Sequence, residues 1–306
     1  MIGAILTGGY GKRMQGLSQD IPKNLLELRE GYTILDRQLR DFKMAGVNDV
    51  YMLTGYKGEV IESKIGNSWK GISIKYLKED EPMGTLFSVR NLLSHVSEDV
   101  ILRNGDTVCD LFIWDFIEFS ISRGEAATVL AVRMRSPYGI LGIKGGEVVW
   151  FKEKPFLNHY INAGTYFLKK RVREYVGMEY EGRDIENTLF RRLAERNELS
   201  AFKYKGLWIS VDSLKDYEEL RNIYSRRMDY EFGYEEFGDD SHIYHIIRNR
   251  KLRIKGSGAM RILRGKVLLN GKSVSGRVEI GGNDEIETEN ESVIELGRDL
   301  SLISPE

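Results

Sequence analysis

The stretch that decides the fold is Met1-Ile2-Gly3-Ala4-Ile5-Leu6-Thr7-Gly8-Gly9-Tyr10-Gly11-Lys12-Arg13-Met14, followed eight residues later by Pro22-Lys23. A short apolar run leads into a glycine-rich loop, and cations follow at once. Glycines let the backbone approach a bulky anion, and successive backbone N–H groups in such a loop can hold phosphate oxygens. The pattern predicts a strand that ends in a phosphate-binding loop. For the glycines alone, an ordinary turn is the alternative interpretation.

Two cations next to this loop favour the phosphate interpretation. Arg13 offers a planar fork of donors and Lys23 a point charge, while Pro22 stiffens the backbone before the lysine. Charges of these two kinds, converging on one polyphosphate, suit phosphoryl or nucleotidyl transfer. Arg13 and Lys23 are therefore the predicted catalytic residues. The loop lacks the spacing of a dinucleotide fingerprint or of a Walker A motif.

Composition limits the other possibilities. The chain has 306 residues, and 45 basic residues nearly cancel 46 acidic ones, so a net charge of -1 gives no field that would attract nucleic acid or an anionic membrane. The single cysteine, Cys109, excludes an internal disulfide framework and a multi-cysteine zinc site. No apolar run approaches the roughly 18 residues that a membrane span needs, and no leader pattern is present. We expect a cytoplasmic protein.

Strand-length apolar runs alternate with helical periodicity from residue 2 to about residue 132. This pattern indicates βα units that feed a mostly parallel sheet, so the predicted fold class is α/β, with a Rossmann-like domain and a mixed sheet. Residues 139–143 and 148–152 read as a hairpin, which we expect at an antiparallel edge of that sheet.

Three regions are predicted along the chain. Residues 1–228 form the α/β domain, and residues 229–243 form an acidic, aromatic linker without a helical or alternating period. Residues 244–306 read as short strands with turns, including a tight hairpin turn at Asn270-Gly271, and so form a small C-terminal all-β domain.

Two aspartates stand where strands are predicted to end. Asp106 follows the strand at 99–103, and Asp212 follows Trp208 by four residues. Ligands of open α/β sheets bind beyond the carboxyl ends of the strands, and two carboxylates can share Mg²⁺ with phosphate oxygens. The alternatives are an Asx turn for Asp106 and a helix N-cap for Asp212.

Taken together, these motifs resemble those of the sugar-1-phosphate nucleotidyltransferases, also called nucleotide-sugar pyrophosphorylases. The resemblance covers residues 1 to about 228. The motifs occur in family order: residues 6–14 with Pro22-Lys23, then Pro82-Met83-Gly84-Thr85, Asn104-Gly105-Asp106, Tyr138-Gly139, Phe151-Lys152-Glu153-Lys154-Pro155 and Ile161-Asn162-Ala163-Gly164.

The resemblance implies a reaction and a role for each motif. A sugar 1-phosphate attacks the α-phosphorus of a nucleoside triphosphate, releasing pyrophosphate and forming a nucleotide-sugar. The implied nucleotide-binding residues are Leu6, Gly8, Gly9, Gly11, Gly84 and Thr85. The implied sugar-phosphate residues are Gly139, Glu153, Lys154 and Asn162, and Asp106 and Asp212 would hold Mg²⁺ as the cofactor.

One departure from the family's motifs bears on which nucleotide base the protein uses. Much of the family has an aspartate where this chain has Ser210, whereas the glucose-1-phosphate cytidylyltransferase branch has Trp followed four residues later by Asp, as Trp208 and Asp212 do here. The similarity makes Asp212 the expected metal ligand and slightly favours CTP as the nucleotide substrate. The triphosphates dTTP, UTP and GTP remain open.

Other readings remain open for the function and for the C-terminal region. The acceptor could be a non-sugar phosphate such as phosphocholine, or the protein could be a non-catalytic sensor whose β module recruits a partner. Residues 252–271 faintly resemble the amino-terminal β module of RNA-processing polynucleotide 5′-hydroxyl kinases, without the kinase phosphate loop. That resemblance implies a docking or assembly role, either as a homo-oligomer or with a protein partner.

Overall fold

The computed structural model describes residues 1–8, 21–81 and 83–305. The chain divides into two compact units, Met1–Tyr217 and Glu218–Glu306. The boundary lies eleven residues before the one predicted and falls inside a helix. None of the helices in the described ranges combines the length and apolar character that a membrane crossing requires.

The first unit alternates strands and helices, as the sequence predicts. Its strands are β1 Ile2–Leu6, β2 Glu27–Arg29, β3 Tyr32–Thr33, β4 Asp49–Thr54, β5 Ser68–Trp69, β6 Ile72–Lys78, β7 Val100–Asn104, β8 Thr107–Cys109, β9 Ala127–Arg135, β10 Ile140–Lys144, β11 Glu147–Lys152, β12 Phe156–Leu168, β13 Leu199–Tyr204 and β14 Trp208–Ser210. Its helices are α1 Ile34–Met44, α2 Gly58–Ile65, α3 Thr85–His95, α4 Ile113–Ser122, α5 Arg173–Val176, α6 Arg191–Glu195 and α7 Leu214–Tyr224, which crosses the unit boundary. Short 3₁₀ turns span Lys23–Leu25 and Lys170–Val172, and a π-helical turn at Glu186–Phe190 leads into α6.

The main sheet has eight strands in the order β13-β9-β12-β7-β1-β4-β6-β5. Strands β7, β1, β4 and β6 are mutually parallel, and β13 is parallel to β9. The predicted α/β class with a mixed, mostly parallel sheet is confirmed. The prediction of an antiparallel edge at the hairpin is wrong, because β10 and β11 form a separate two-stranded sheet. Instead, β12 is antiparallel inside the main sheet, between β7 and β9.

Both faces of the main sheet are buried, which is why its central strands read as continuous apolar runs. Successive residues point to opposite faces, so Ile5 packs in one core cluster and Ala4 in the other. Ile101 and Leu102 on β7 divide in the same way. Helix α1 begins with a capping box, in which the Thr33 and Asp36 side chains bind each other's backbone N–H groups.

The central strand β7 also carries a buried charge, Arg103. Its Nη1 donates to Asp41 Oδ2 on α1 at 2.7 Å, and its Nη2 lies 3.4 Å from Cys109 Sγ. Arg37 forms a second ion pair with Asp41, and all three ionic side chains are at most 5% exposed. Burial raises the pKa of the Cys109 thiol. The thiol therefore stays protonated at neutral pH, and Cys109 is a buried residue of the core.

Apart from the end of α7, the second unit is all-β, as predicted. Its strands are β15 Arg227–Tyr230, β16 Gly233–Phe237, β17 Ser241–Ile246, β18 Arg250–Lys255, β19 Gly258–Arg264, β20 Val267–Leu269, β21 Lys272–Val274, β22 Arg277–Ile280, β23 Glu285–Thr288, β24 Ser292–Gly297 and β25 Ser301–Ile303. They form two sheets, β15-β16-β17-β24-β19-β22 and β21-β20-β23-β18-β25. Asn270 and Gly271 both have positive φ in the turn between β20 and β21, as the tight hairpin turn requires.

The predicted linker at residues 229–243 is instead part of the six-stranded sheet. Ten of its fifteen residues lie in β15, β16 and β17, and the aromatic rings pack: Tyr230 stacks on Phe232 at 4.9 Å. The alternating pattern is hidden because Glu235 points inward. This carboxylate is 3% exposed and accepts hydrogen bonds from the hydroxyls of Tyr230 and Tyr244, which compensate its burial.

Candidate active site

A cavity of about 400 Å³ opens at the carboxyl ends of β1, β4, β6 and β7. This is the edge of the sheet at which open α/β folds bind ligands, and the volume suits a small molecule. Its lining residues are Leu6, Thr7, Gly8, Lys23, Asn24, Leu53, Gly55, Tyr56, Glu79, Asp80, Glu81, Gly84, Thr85, Ser88, Asn104, Gly105, Asp106 and Glu186. Six of the residues predicted from the sequence are therefore on one cavity wall.

Lys23 lies on the polar side of this cavity, where its ammonium contacts three oxygen atoms. Its Nζ donates to the Val211 carbonyl at 2.8 Å and lies 3.4 Å from Asp212 Oδ1 and 3.9 Å from Asp106 Oδ2. The lysine side chain is 14% exposed, so the ammonium is largely removed from water. The predicted catalytic lysine and both predicted metal ligands therefore meet at one point, although they are separated by up to 189 residues in sequence.

The local chain explains why the two aspartates converge on Lys23. Asp106 sits in the tight turn between β7 and β8, where Gly105 allows close approach, because a Cβ there would lie 2.6 Å from the Leu6 carbonyl. β14 pairs with β8, and the Val211 N–H donates to the Asp106 carbonyl at 2.9 Å. This pairing brings the segment that carries Asp212 beside Asp106.

The charges at Asp106 and Asp212 are those expected of a cation-binding site. Burial and the nearby Asp212 carboxylate raise the pKa of Asp106, and the Lys23 ammonium opposes that shift. In the described residues no group of three or more His, Cys, Asp and Glu side chains is placed to hold a metal. Two carboxylates supplemented by phosphate oxygens are nevertheless the usual ligands of Mg²⁺, and here both already face one cation, Lys23. The donor set fits that ion.

Asp212 is not the helix cap that the alternative interpretation required. The cap of α7 is Ser213, whose backbone N–H donates to Asp216 Oδ2 at 2.8 Å, while Ser213 Oγ accepts from the Asp216 N–H. The Asp212 carboxylate is 51% exposed and accepts from Ser210 Oγ at 3.0 Å. Ser210, which replaces the family's usual aspartate, therefore orients the carboxylate that Asp212 supplies.

The predicted base-side residues, Gly84 and Thr85, form the start of α3. Gly84 has φ +92°, and a Cβ there would lie 2.6 Å from Arg183, so only glycine fits. Thr85 Oγ1 accepts a hydrogen bond from the Ile185 N–H at 2.9 Å. These contacts tie the amino end of α3 to the 183–185 segment and hold it against the cavity.

Among the cavity residues that were not predicted from the sequence are Glu79 and Asn24. Glu79 follows β6, and its carboxylate accepts hydrogen bonds from Ser88 Oγ and from the Met83 N–H. Asn24 is 3% exposed, and neither of its amide atoms has a hydrogen-bond partner in the described ranges. Asn24 stands directly after Pro22-Lys23, so its place next to the motif was the signal available. Glu79 precedes the 82–85 motif by three residues.

The predicted sugar-phosphate residues are not among the residues that line this cavity. Gly139 and Glu153 are neighbours, because a Cβ at Gly139 would lie 2.9 Å from Glu153 Oε2. Lys154 adopts φ +44° and its ammonium lies 3.8 Å from Glu153. Asn162 is exposed, and its side chain bonds Tyr166 Oη and the Gly164 N–H. Gly9, Gly11 and Arg13 lie outside the described residues.

The chain is similar to known nucleotidyl-transferring proteins. Mannose-1-phosphate guanyltransferase from Pichia angusta is 32% identical over 230 residues, covering 71% of this chain and 62% of that protein. Mannose-1-phosphate guanyltransferase beta-A from Xenopus laevis is 30% identical over 224 residues, covering 70% of this chain and 61% of that protein. The chain thus spans about three fifths of the length of these curated relatives.

A solved structure and a family model agree with these relatives. The crystal structure of HddC from Yersinia pseudotuberculosis complexed with GMP-PN is 26% identical, covers 72% of this chain and 99% of that chain, and has a TM-score of 0.55. The relatives' names do not support the slight preference for CTP. Residues 2–227 match the family model described as "Nucleotidyl transferase", and the chain belongs to this family.

Proposed function

We propose that this protein is a sugar-1-phosphate nucleotidyltransferase that transfers GMP from GTP to mannose 1-phosphate, with Mg²⁺ held by Asp106 and Asp212. The observation that carries the proposal is that Lys23 and Asp106 line a cavity at the carboxyl ends of the parallel strands and that the Lys23 ammonium also contacts Asp212. The guanine and mannose assignments are supported by the names of the relatives.

In the proposed reaction, an oxygen of the mannose 1-phosphate attacks the α-phosphorus of GTP. The new P–O bond forms as the bond from the α-phosphorus to the bridging oxygen breaks, and pyrophosphate leaves with the bonding electrons. When bound, Mg²⁺ supplies charge neutralisation for the phosphates. Lys23 adds a fixed, desolvated positive charge beside them, and such preorganised charges stabilise a transition state strongly.

The spacing of the strands suits a nucleoside triphosphate. Asp106 follows β7 and Glu79 follows β6, with β1 and β4 between them. At about 4.8 Å per strand, these two carboxylates stand roughly 14 Å apart across the sheet edge. A triphosphate can therefore lie with its phosphates near Lys23 and Asp106 and its base near Glu79, Gly84 and Thr85.

Glu79 supports guanine as the base. The Watson–Crick edge of guanine presents two adjacent donors, N1–H and the N2 amino group, and a carboxylate can accept from both. Uracil and thymine present one donor flanked by two acceptors, which a carboxylate repels. Contacts from Ser88 and Met83 fix the Glu79 carboxylate but leave lone pairs free. A negative charge here would therefore both favour GTP and disfavour UTP and dTTP.

We expect Glu79→Gln to lower kcat/KM for GTP by roughly 10- to 100-fold, because a hydrogen bond to a charged group is replaced by a neutral, mismatched one. The relative use of UTP should rise. The control is Glu81→Gln, which removes the same charge from the same wall. An unchanged ratio of GTP to UTP use in Glu79→Gln would exclude this carboxylate from base selection.

The test of the function is pyrophosphate release from the full chain with Mg²⁺, crossing the five common nucleoside triphosphates with mannose 1-phosphate, glucose 1-phosphate and phosphocholine. We expect the highest kcat/KM for GTP with mannose 1-phosphate. Release only with phosphocholine would assign the alternative acceptor. No release from any pair, with thermal shifts on adding nucleotide, would favour the sensor.

A further inference from the structure

A second cavity, of about 1100 Å³, is built from α3, α6, the π-helical turn before α6 and residues 177–181. No described residue lines both this cavity and the candidate active site. Sites for small molecules have volumes of about 300–1,000 Å³, so the second cavity is large enough for one. Nine of its eleven lining residues have polar side chains, which suits a polar ligand.

The wall that residues 177–181 contribute to the second cavity is fixed by Arg90 on α3. The Arg90 Nε donates to the Val176 carbonyl at 2.8 Å, and its Nη2 donates to the Met178 carbonyl. The Tyr180 hydroxyl donates to the Tyr175 carbonyl at 2.8 Å, and the Tyr180 ring centre lies 5.7 Å from the Arg90 guanidinium. A guanidinium has five N–H donors, and these contacts use two of them. Arg90 is therefore held in place and can still donate to a ligand.

The second cavity also contains positive charge that is in no ion pair within the described ranges. The Arg192 guanidinium lines the cavity and forms no hydrogen bond or ion pair with a described residue. Burial raises the pKa of the Tyr180 hydroxyl, and the guanidiniums of Arg192, Arg90 and Arg196 oppose that shift. Three positive groups therefore lie near this one hydroxyl. Planar guanidinium groups bind phosphate oxygens in pairs, so the arrangement favours a phosphate.

The same cavity offers acceptors for hydroxyl groups. Glu179 and Glu181 are exposed, and neither carboxylate is in an ion pair with a residue that the structure describes. Carboxylates accept hydrogen bonds from hydroxyls, and the Asn187 amide can both accept and donate. A ligand with a phosphate and several hydroxyl groups would match both the guanidiniums and these side chains. A simple anion would be repelled by the two carboxylates.

We propose that the second cavity binds a phosphorylated sugar, with the phosphate on Arg90 and Arg192 and the sugar hydroxyls on Glu179, Glu181 and Asn187. The Tyr180 ring provides an apolar body beside the sugar. An unphosphorylated sugar would leave the Arg192 guanidinium without a partner. Because the two cavities share no described lining residue, the proposal does not rest on the proposed function.

The test is isothermal titration calorimetry of the full chain with glucose 6-phosphate and with mannose 6-phosphate. We expect saturable binding of at least one of them, and weaker binding of glucose and of inorganic phosphate. Arg192→Gln should weaken the binding roughly 10- to 100-fold, because charged hydrogen bonds to the phosphate are lost. The control is Arg191→Gln, since the Arg191 guanidinium is 75% exposed and already lies 3.1 Å from Glu195. This control should bind within about fivefold of the wild type.

Two further variants locate the binding event. Lys23→Ala changes the candidate active site and should leave the binding intact, whereas Glu179→Gln with Glu181→Gln should weaken the binding of the sugar phosphate and not that of inorganic phosphate. Binding that is lost in Lys23→Ala and kept in Arg192→Gln would place the ligand in the candidate active site and overturn the proposal. So would equal losses in Arg192→Gln and Arg191→Gln, equal affinity for inorganic phosphate, or no binding of either hexose phosphate to the wild type. Each readout is a heat of binding, so failure of the proposed activity would leave this test unaffected.

Discussion

The Lys23 side chain is anchored by a backbone carbonyl and faces two carboxylates, so its position is set before any substrate arrives. A charge that needs no reorganisation is worth more in a desolvated site than a mobile one in water. We expect Lys23→Ala to reduce kcat for pyrophosphate release by roughly 10²- to 10³-fold, with the fold retained.

A matched lysine separates this effect from a general loss of charge. Lys78 ends β6, is 56% exposed and contacts Glu62 on the surface. Lys78→Ala should leave kcat within about twofold of the wild type, since an exposed ion pair contributes at most about 1 kcal/mol. Near-normal turnover in Lys23→Ala would remove Lys23 from the mechanism.

Substitutions of Asp212 and Ser210 should differ in the Mg²⁺ concentration that the reaction requires. The Asp212 carboxylate faces Lys23, whereas Ser210 Oγ only donates to that carboxylate at 3.0 Å. Asp212→Asn should raise the Mg²⁺ concentration for half-maximal rate at least about tenfold, because one charged ligand is lost. Ser210→Ala should change it little. The reverse ranking would place the metal at the family's usual position, residue 210.

Individual site residues were predictable where they belonged to a motif. Lys23, Asp106 and Gly84 were found because each has a recognisable neighbourhood in the sequence, and all three line the cavity. Asn24 and Glu79 were not found, since their roles depend on burial and on contacts with distant segments. No local pattern in the sequence shows that the Asn24 amide is buried without a partner.

At the scale of secondary-structure elements, strand β7 contributes both to the stability of the fold and to the candidate active site. The strand begins at Val100, carries the buried Arg103 one residue before its end and is followed, after Gly105, by Asp106. Arg103→Ala would leave the buried Asp41 carboxylate with one fewer partner. We expect a loss of about 3–5 kcal/mol in the free energy of unfolding, measured by urea denaturation.

The control for this change is Arg133→Ala, on strand β9 of the same sheet. The Arg133 guanidinium donates to exposed groups, the Leu157 carbonyl and the Asn158 side chain. Arg133→Ala should lower the free energy of unfolding by no more than about 0.5 kcal/mol, as is usual for surface substitutions. Equal losses in the two variants would mean that the buried ion pairs of Arg103 contribute nothing specific.

The elements themselves were predicted to different degrees. Strands β1, β4 and β7 were clear because both of their faces are buried, which gives continuous apolar runs. Strands β15 and β16 were missed, because the inward-pointing Glu235 breaks the alternation. Contacts with the hydroxyls of Tyr230 and Tyr244 and with the His242 ring compensate the burial of this carboxylate. The hairpin was predicted, but its isolation from the main sheet depends on β12, whose pairing across distant residues no local pattern reveals.

At the scale of the whole molecule, each unit has its own hydrophobic core. One cluster in the first unit runs from Ile5 to Phe167 and the other from Ile2 to Leu193, whereas the cluster of the second unit runs from Phe232 to Leu302. Every residue that lines the described cavity also lies before the unit boundary. A domain with its own core and its own site should fold and act alone.

We therefore expect a fragment of residues 1–226, which keeps α7 whole, to retain kcat within about tenfold of the full chain, equivalent to roughly 1.4 kcal/mol in the activation barrier. Circular dichroism would establish that the fragment is folded. Lost turnover in a folded fragment would show that the second unit completes the site.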